Sequence, residues 1–298
     1  VPVTVCRTIA DFRAALDGVR DRDRRVGLVP TMGYLHAGHT SLIERSAAER
    51  DVTAATVFVN PLQFGAGEDL AAYPRDLDRD VGLAEAAGAS LVFAPSVEEM
   101  YPTGEPLTTV TVAQVSEPLE GRFRPTHFAG VATVVAKLFA IAGLVAAYFG
   151  EKDYQQLVVV RRMVADLSLP VEVVGCPTVR EADGLALSSR NVYLTAEERA
   201  VAPLLYRSLV KAKSCIEDKG ERDPAAVNEL LREEIAAEPR FSLDYAEVVN
   251  ASDLTSPTRL VGAVRLLVAA RLGKARLIDN LEADACEADQ LSAGATAQ

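Results

Sequence analysis

Short apolar runs alternate along the first half of the chain with stretches whose apolar positions recur at helical spacing. The runs Val26-Gly27-Leu28-Val29, residues 52–59, 90–94, 144–149 and 171–174 are β-branched or small-apolar and broken by turn residues, as strands buried on both faces are. Residues 40–50, 78–87, 128–142 and 154–167 carry the helical period between them. An earlier helix starts at Thr8-Ile9-Ala10-Asp11, which resembles a capping box, runs through Leu16 and ends near Gly18; Ser96-Val97-Glu98-Glu99 resembles a second such box. Residues 107–115 alternate threonine and valine and read as a further short strand. Strand and helix in regular succession predict an α/β domain with a parallel sheet.

Further along the pattern changes. Thr195-Ala196-Glu197-Glu198 opens a helix to about Asp218, Asp223-Pro224 opens another, and residues 242–249 read as a strand. Residues 264–272 and 275–281 make a hairpin about Gly273-Lys274. The expected architecture is therefore a Rossmann-like parallel-sheet domain over 1–178 and a smaller α+β lid domain over 179–298, with a frayed tail after about residue 282.

In open α/β sheets ligands bind at the carboxyl ends of strands, so the strand-to-helix handovers carry the candidate chemistry. The first is Thr31-Met32-Gly33-Tyr34-Leu35-His36-Ala37-Gly38-His39. Two histidines at a helix start can donate to phosphate oxygens beside the helix N–H groups; they also suit a metal half-site or a plain helix cap. The second, Asn60-Pro61-Leu62-Gln63-Phe64-Gly65, leaves amide side chains at another strand end, or is an ordinary turn. The third, Gly150-Glu151-Lys152-Asp153, offers a close-approach glycine, a cation for phosphate and an acceptor for ribose hydroxyls, with Gln156 one turn on; a charged helix start is the plainer reading. Ser188-Ser189-Arg190-Asn191 combines hydroxyls and a guanidinium fork, which suits a polyphosphate or a serine-rich connection alike. Arg124 and His127 lie in a basic, breaker-rich stretch that reads as a loop over an anion site or a solvated loop, and residues 67–78 read as a mobile loop.

Composition narrows the partners. Forty-nine per cent of the 298 residues are hydrophobic, enough for a sizeable core. The net charge of -11 disfavours nucleic acid and anionic membranes. No apolar run reaches the roughly eighteen residues that cross a bilayer. Four scattered cysteines and no visible leader segment fit a cytoplasmic protein with free thiols. There is no G-x-x-x-x-G-K-[ST] loop and no G-x-G-x-x-G after a strand, so any nucleotide is held by other means.

Taken in order, Thr31-Met32-Gly33-Tyr34-Leu35-His36-Ala37-Gly38-His39, Asn60-Pro61-Leu62-Gln63-Phe64, Gly150-Glu151-Lys152-Asp153-Tyr154-Gln155-Gln156 and Ser188-Ser189-Arg190-Asn191 closely resemble the pantoate–β-alanine ligase family, of the H-x-G-H nucleotidyltransferase-like group, over nearly the whole chain to about Leu281. One departure is Leu187, where the family pattern has methionine. The resemblance implies ATP-dependent condensation of pantoate with β-alanine through a pantoyl adenylate, releasing AMP and pyrophosphate. It further implies that His36, His39 and Lys152 carry the chemistry. ATP would lie against Met32, Gly33, His36, His39, Gly150, Lys152, Asp153, Val179, Leu187, Ser188, Ser189 and Arg190. Gln63, Gln156, Asn60 and Arg124 would take pantoate or β-alanine. Mg²⁺ would accompany ATP with no protein ligands assigned, and the assembly would be a homodimer. The rivals to be separated by experiment are a transferase that keeps the nucleotide on its product and a non-catalytic nucleotide sensor.

Overall fold

A computed structural model describes residues 2–65, 68 and 70–286. The chain divides into two compact units, Val1–Val179 and Arg180–Gln298.

The first unit is a six-stranded parallel sheet flanked by helices. In chain order it comprises β1 (Thr4–Cys6), α1 (Ile9–Arg20), β2 (Val26–Thr31), α2 (Ala37–Glu49), β3 (Val52–Val57), α3 (Leu77–Ala86), β4 (Leu91–Phe93), α4 (Val97–Met100), α5 (Glu120–Phe123), α6 (His127–Ala142), β5 (Val145–Gly150), α7 (Tyr154–Asp166) and β6 (Val171–Cys176). The strand order is β1-β4-β3-β2-β5-β6. Successive strands thus step one way from β2 and the other way from β5, and the reversal between them is the topological switch point where such sheets open a crevice. β2 pairs with β3 along its whole length, whereas its registered pairing with β5 is confined to Gly27↔Ala146 and Leu28↔Ala147. Beyond those residues no pairing of β2 with β5 is registered. β2, β3 and β5 are buried almost throughout, as both-face coverage by helices requires. Gly27 is what lets α2 settle on β2: a Cβ there would fall 2.0 Å from Ser46 Oγ.

The helix starts follow the expected chemistry. Thr8 accepts from the Asp11 N–H, Asp76 from Arg79 and Ser96 from Glu99. α1 runs past Gly18 to Arg20. The strand expected over 107–115 does not form. Gln114 adopts φ 66, the Val110 N–H is taken by Thr133 Oγ1, and Val112 and Val115 are buried from a turn rather than a ladder. The basic stretch expected as a loop begins with the one-turn helix α5. β1, which no periodicity announces, adds a short edge beside β4. Ala66, Gly67 and Asp69 of the expected mobile loop lie outside the described residues; in the rest of it, Tyr73 is buried against Phe64.

The second unit contains α8 (Ala196–Val201), α9 (Leu204–Glu217), α10 (Pro224–Ala236) and the antiparallel sheet of β7 (Phe241–Asn250), β8 (Ala263–Leu272) and β9 (Ala275–Asp284), in the order β7-β8-β9. The single helix expected from Thr195 to about Asp218 is two, because Pro203 has no N–H to continue the ladder and instead precedes α9. Leu205, Leu209, Ala212 and Ile216 of α9 and Val227, Leu231 and Ile235 of α10 share one core with Val264, Leu266, Val268 and Ala270 of β8. β9 continues to Asp284, beyond the point where fraying was expected, and the remaining tail, 287–298, lies outside the described residues.

Candidate active site

The histidine turn links β2 to α2. Gly33 sits at φ +84, and a Cβ there would meet Val57 Cγ1 at 2.9 Å and Asp80 Oδ2 at 3.0 Å. Tyr34 follows at φ 52, an uncommon conformation for a side-chain-bearing residue. Asp80 stabilises it. Asp80 is buried, and its carboxylate accepts from the Tyr34 and Leu35 N–H groups, each at 2.7 Å. Arg79 donates to the Leu35 carbonyl from the other side.

The histidines then cap α2. His36 Nδ1 accepts from the Gly38 N–H at 3.1 Å, and His39 Nδ1 accepts from the His36 N–H at 3.4 Å. A backbone N–H can only donate, so Nδ1 carries no proton on either ring and the neutral tautomer places the hydrogen on Nε2. Burial is the first cause that pulls both rings below the ordinary histidine range, His36 to about 4 and His39 to about 3. The next largest contributions are Lys152 for His36 and His36 for His39. At neutral pH the pair therefore offers two uncharged Nε2–H donors, with ring centroids 4.1 Å apart. The cap and the phosphate donor are the same structure: capping consumes Nδ1 and leaves Nε2–H to a ligand.

β2 and β5 are neighbours in a parallel sheet, so the histidine turn and the 3-10 turn of Lys152 and Asp153 leave the same edge of it, and the charges of Lys152 and Asp153 act on both rings. Lys152 also lies 3.6 Å from Asp153. On α7 the adjacent glutamines separate by role. Gln155 is buried and spends its amide on Glu120 N–H and the Val115 and Pro118 carbonyls, whereas Gln156 is half-buried one position on.

Gln63 ends a 3-10 turn, Pro61–Gln63, capped by Asn60. It is buried, with Oε1 accepting from Asn60 Nδ2 at 3.1 Å and Nε2 3.0 Å from Met32 Sδ, so it adjoins the histidine turn. Its carbonyl accepts from His127 Nδ1–H at 2.9 Å and from Arg124. His127 is thereby the opposite tautomer to His36 and His39. Arg124 is committed to a two-point ion pair with Glu68 at 2.8 and 2.6 Å, and Asn60 is 1% exposed with its amide spent on protein groups. Both also touch Gln63, Asn60 through the side-chain amide and Arg124 through the backbone carbonyl.

Val179 follows β6 and is half-buried. In the second unit, Ser188 Oγ accepts from the Arg190 N–H and caps the 3-10 turn Ser189–Tyr193, and Leu187 to Arg190 are all half-buried. The loop that carries them is fixed by Arg180. Its guanidinium grips Asp279 at 2.6 and 2.8 Å, donates to the Gly184 carbonyl and lies 4.0 Å from the Tyr206 ring centroid. Among the described residues no group of three or more His, Cys, Asp or Glu is placed to hold a metal ion. No helix among them is long and apolar enough to cross a membrane.

Sequence reasoning assigns no supporting role to Asp80 or Arg180. Asp80 did leave a signal: it stands four residues before Ala84, on the buried stripe of α3, where an acid needs a partner.

A family model described as Pantoate-beta-alanine ligase matches residues 4–282. The chain belongs to the pantoate–β-alanine ligase family. Members of the pantoate–β-alanine ligase family that it resembles include the pantothenate synthetase of Herpetosiphon aurantiacus, 52% identical over 93% of this chain and 99% of that protein, and that of Thermus thermophilus, 54% identical over 92% and 97%. The crystal structure of the Thermus thermophilus enzyme superposes with a TM-score of 0.89, covering 96% of this chain and 100% of that one at 51% identity. That of the Francisella tularensis pantoate-beta-alanine ligase, complexed with Beta-gamma ATP and Beta-alanine, superposes with a TM-score of 0.77 at 31% identity, over 94% and 97% of the two chains. The Rossmann-like parallel sheet followed by a small antiparallel sheet is thus the family's fold.

Proposed function

We propose that this ligase activates (R)-pantoate with ATP. The pantoate carboxylate attacks the α-phosphorus, the bond from that phosphorus to the bridging oxygen breaks, and pyrophosphate leaves. The amine of β-alanine then attacks the acyl carbon of the pantoyl adenylate, AMP departs with the electron pair, and the amine loses a proton. The observation that carries this reading is the pairing of two adjacent strand ends: two Nε2–H donors at the helix start after β2, and Lys152 and Asp153 in the turn after the neighbouring parallel strand β5.

Charge accumulates on the α-phosphate and on pyrophosphate during the first step, and fixed donors aimed there lower the barrier. His36 and His39 supply them. Because their pKa values lie far below neutrality, they act as hydrogen-bond donors rather than as acids that surrender a proton. Lys152, with Ser188, Ser189 and Arg190 of the second unit, holds the β- and γ-phosphates. Met32, Gly33 and Leu187 line the nucleotide, Gly150 and Asp153 take the ribose, and the Val179 backbone reads adenine. Gln63 and Gln156 orient pantoate without neutralising its nucleophilic carboxylate. Mg²⁺ enters as part of the substrate on the phosphate oxygens. The donor set fits that arrangement, because Asp80, the buried carboxylate closest to the histidine turn, has its oxygens on backbone N–H groups. A homodimer in the cytoplasm and a mobile second unit acting as a lid complete the proposal.

The decisive experiment measures AMP release with pantoate and β-alanine omitted in turn, alongside pyrophosphate exchange into ATP. Exchange that needs pantoate but not β-alanine, and AMP release that needs both, is expected. Product retaining the nucleotide points to the transferase rival, and absence of exchange points to the sensor.

A further inference from the structure

Behind Gln63 lies a buried hydrogen-bond chain whose direction can be read. Gln63 and Asn60 are amides, which could present either oxygen or NH₂. Asn60 is not ambiguous. One side of its amide meets the Leu62 N–H, at 3.3 Å, and must be the oxygen; the other meets the Gly130 carbonyl, at 3.2 Å, and must be the NH₂. The second hydrogen of that NH₂ reaches Gln63, at 3.1 Å, so the Gln63 atom there is Oε1. Gln63 is left with Nε2 on the side of Met32, where only a donor is available.

Asn60 Oδ1 has a second donor. The Tyr101 hydroxyl, on the residue after α4, lies 2.9 Å away. Burial raises its pKa to about 12, so the proton stays on the oxygen to be donated. Lys137 Nζ lies 5.3 Å from the centroid of the Tyr101 ring and also donates to the Met100 carbonyl, tying the ring to α6. The same helix supplies Gly130, where a Cβ would fall 2.2 Å from the Leu62 carbonyl oxygen. Backbone meets backbone there, and only that approach lets Asn60 span the gap.

We propose that Tyr101 is a positioning residue for the acid substrate, acting through Asn60 to hold Gln63 with its Nε2–H groups toward Met32 and the histidine turn. An anionic carboxylate accepts and cannot donate, so a glutamine locked this way attracts it and one turned over repels it. The inference rests on the placement of pantoate at Gln63.

Tyr101→Phe deletes the hydroxyl and keeps the ring against Phe58, whose centroid is 6.0 Å away. It is expected to raise the KM for pantoate in pyrophosphate exchange roughly three- to tenfold, the range of one buried neutral hydrogen bond, with the KM for ATP changed less than about twofold. Asn60→Ser, which removes the arm reaching Gln63, is the second variant and gives the same signature. In a Gln63→Ala background the Tyr101→Phe effect should vanish; a residue that merely supports the fold would keep its effect there. An unchanged pantoate KM in Tyr101→Phe, or an effect that persists undiminished without Gln63, overturns the proposal. If Gln63→Ala itself leaves the pantoate KM unchanged, the placement of pantoate fails; if only Gln63→Ala raises it, Tyr101 alone is dismissed.

Discussion

Two turns at neighbouring strand ends do the same chemical work by different means. In the histidine turn after β2, ambiguous imidazoles become Nε2–H donors because the turn's own backbone occupies Nδ1, within three residues of each ring. In the amide turn after β3, Gln63 becomes a donor because Asn60 is held by Gly130 and Tyr101, 70 and 41 residues away along the chain. The rings of one turn are oriented locally, and the amide of the other by tertiary packing. The difference decides what can be read from a motif and which substitutions will break it.

The largest expected effect lies in the local turn. His39→Ala removes both an Nε2–H donor and the group that accepts the His36 N–H. Pyrophosphate exchange should fall by roughly 10²- to 10³-fold, the usual loss when a fixed donor to developing charge is deleted. The accompanying loss of the cap should cost about 1 kcal/mol in urea unfolding. A folded His39→Ala protein exchanging at the wild-type rate would remove the ring from the chemistry. In the tertiary turn the counterpart is Gly130→Ala. Its methyl group would intrude on the Leu62 carbonyl at 2.2 Å, so the turn must move. A cost of about 1–3 kcal/mol in stability is expected, with a higher pantoate KM and little change for ATP. A rise in both constants would mean that the two turns are not independent.

The same contrast explains how far the sequence could be read. The helix-capping histidines, the glycine before them and the strand that precedes them lie within one short stretch, and local chemistry is what a motif records. The supports do not. The oxygens of Asp80 fall on the Tyr34 and Leu35 N–H groups, 46 and 45 residues away along the chain, which no local motif records. Tyr101 and Gly130 are ordinary residues until α6 is laid against the Pro61–Gln63 turn. The pairing of Arg124 with Glu68 likewise depends on packing. Errors of secondary structure have the same origin. Residues 107–115 alternate like a strand, but they pair with no strand among the described residues, and the Val110 N–H and Val112 carbonyl turn to Thr133 and Ser116 instead. β1 is three residues long with two of them exposed, so it has no pattern to announce it.

Acid sharpens the comparison in a different way. His36 and His127 have folded pKa values near 4 and His39 near 3, all lowered chiefly by burial. In the unfolded chain each would titrate near its ordinary value of about 6.5. Between about pH 6.5 and 4 the unfolded state therefore binds more protons than the folded one, and stability must fall as pH falls through that window. Exchange activity of the folded protein should show no step near pH 6.5 attributable to the histidines. Urea midpoints and initial exchange rates from pH 8 to pH 5 check both statements. A histidine-type inflection that disappears in His36→Ala would show that the ring charges in the working enzyme.

The smallest effect tests how strictly local the histidine turn is. Arg79 donates to the Leu35 carbonyl at 2.9 Å and lies 5.1 Å from the Tyr34 ring centroid, yet its side chain is 44% exposed. Solvent screens a group so placed, and the two backbone N–H groups of the turn remain on Asp80 without it. Arg79→Ala should therefore cost about 0.5–1 kcal/mol in stability and change exchange less than about threefold. Its charge also contributes to the lowering of the His36 pKa, so the ring should titrate slightly higher in the variant, by NMR, without reaching its ordinary value, because burial is the larger cause. A tenfold loss of exchange from this exposed residue would mean that the turn leans on its outer face as well as on Asp80, and that the local capping of the two rings is not enough to orient them.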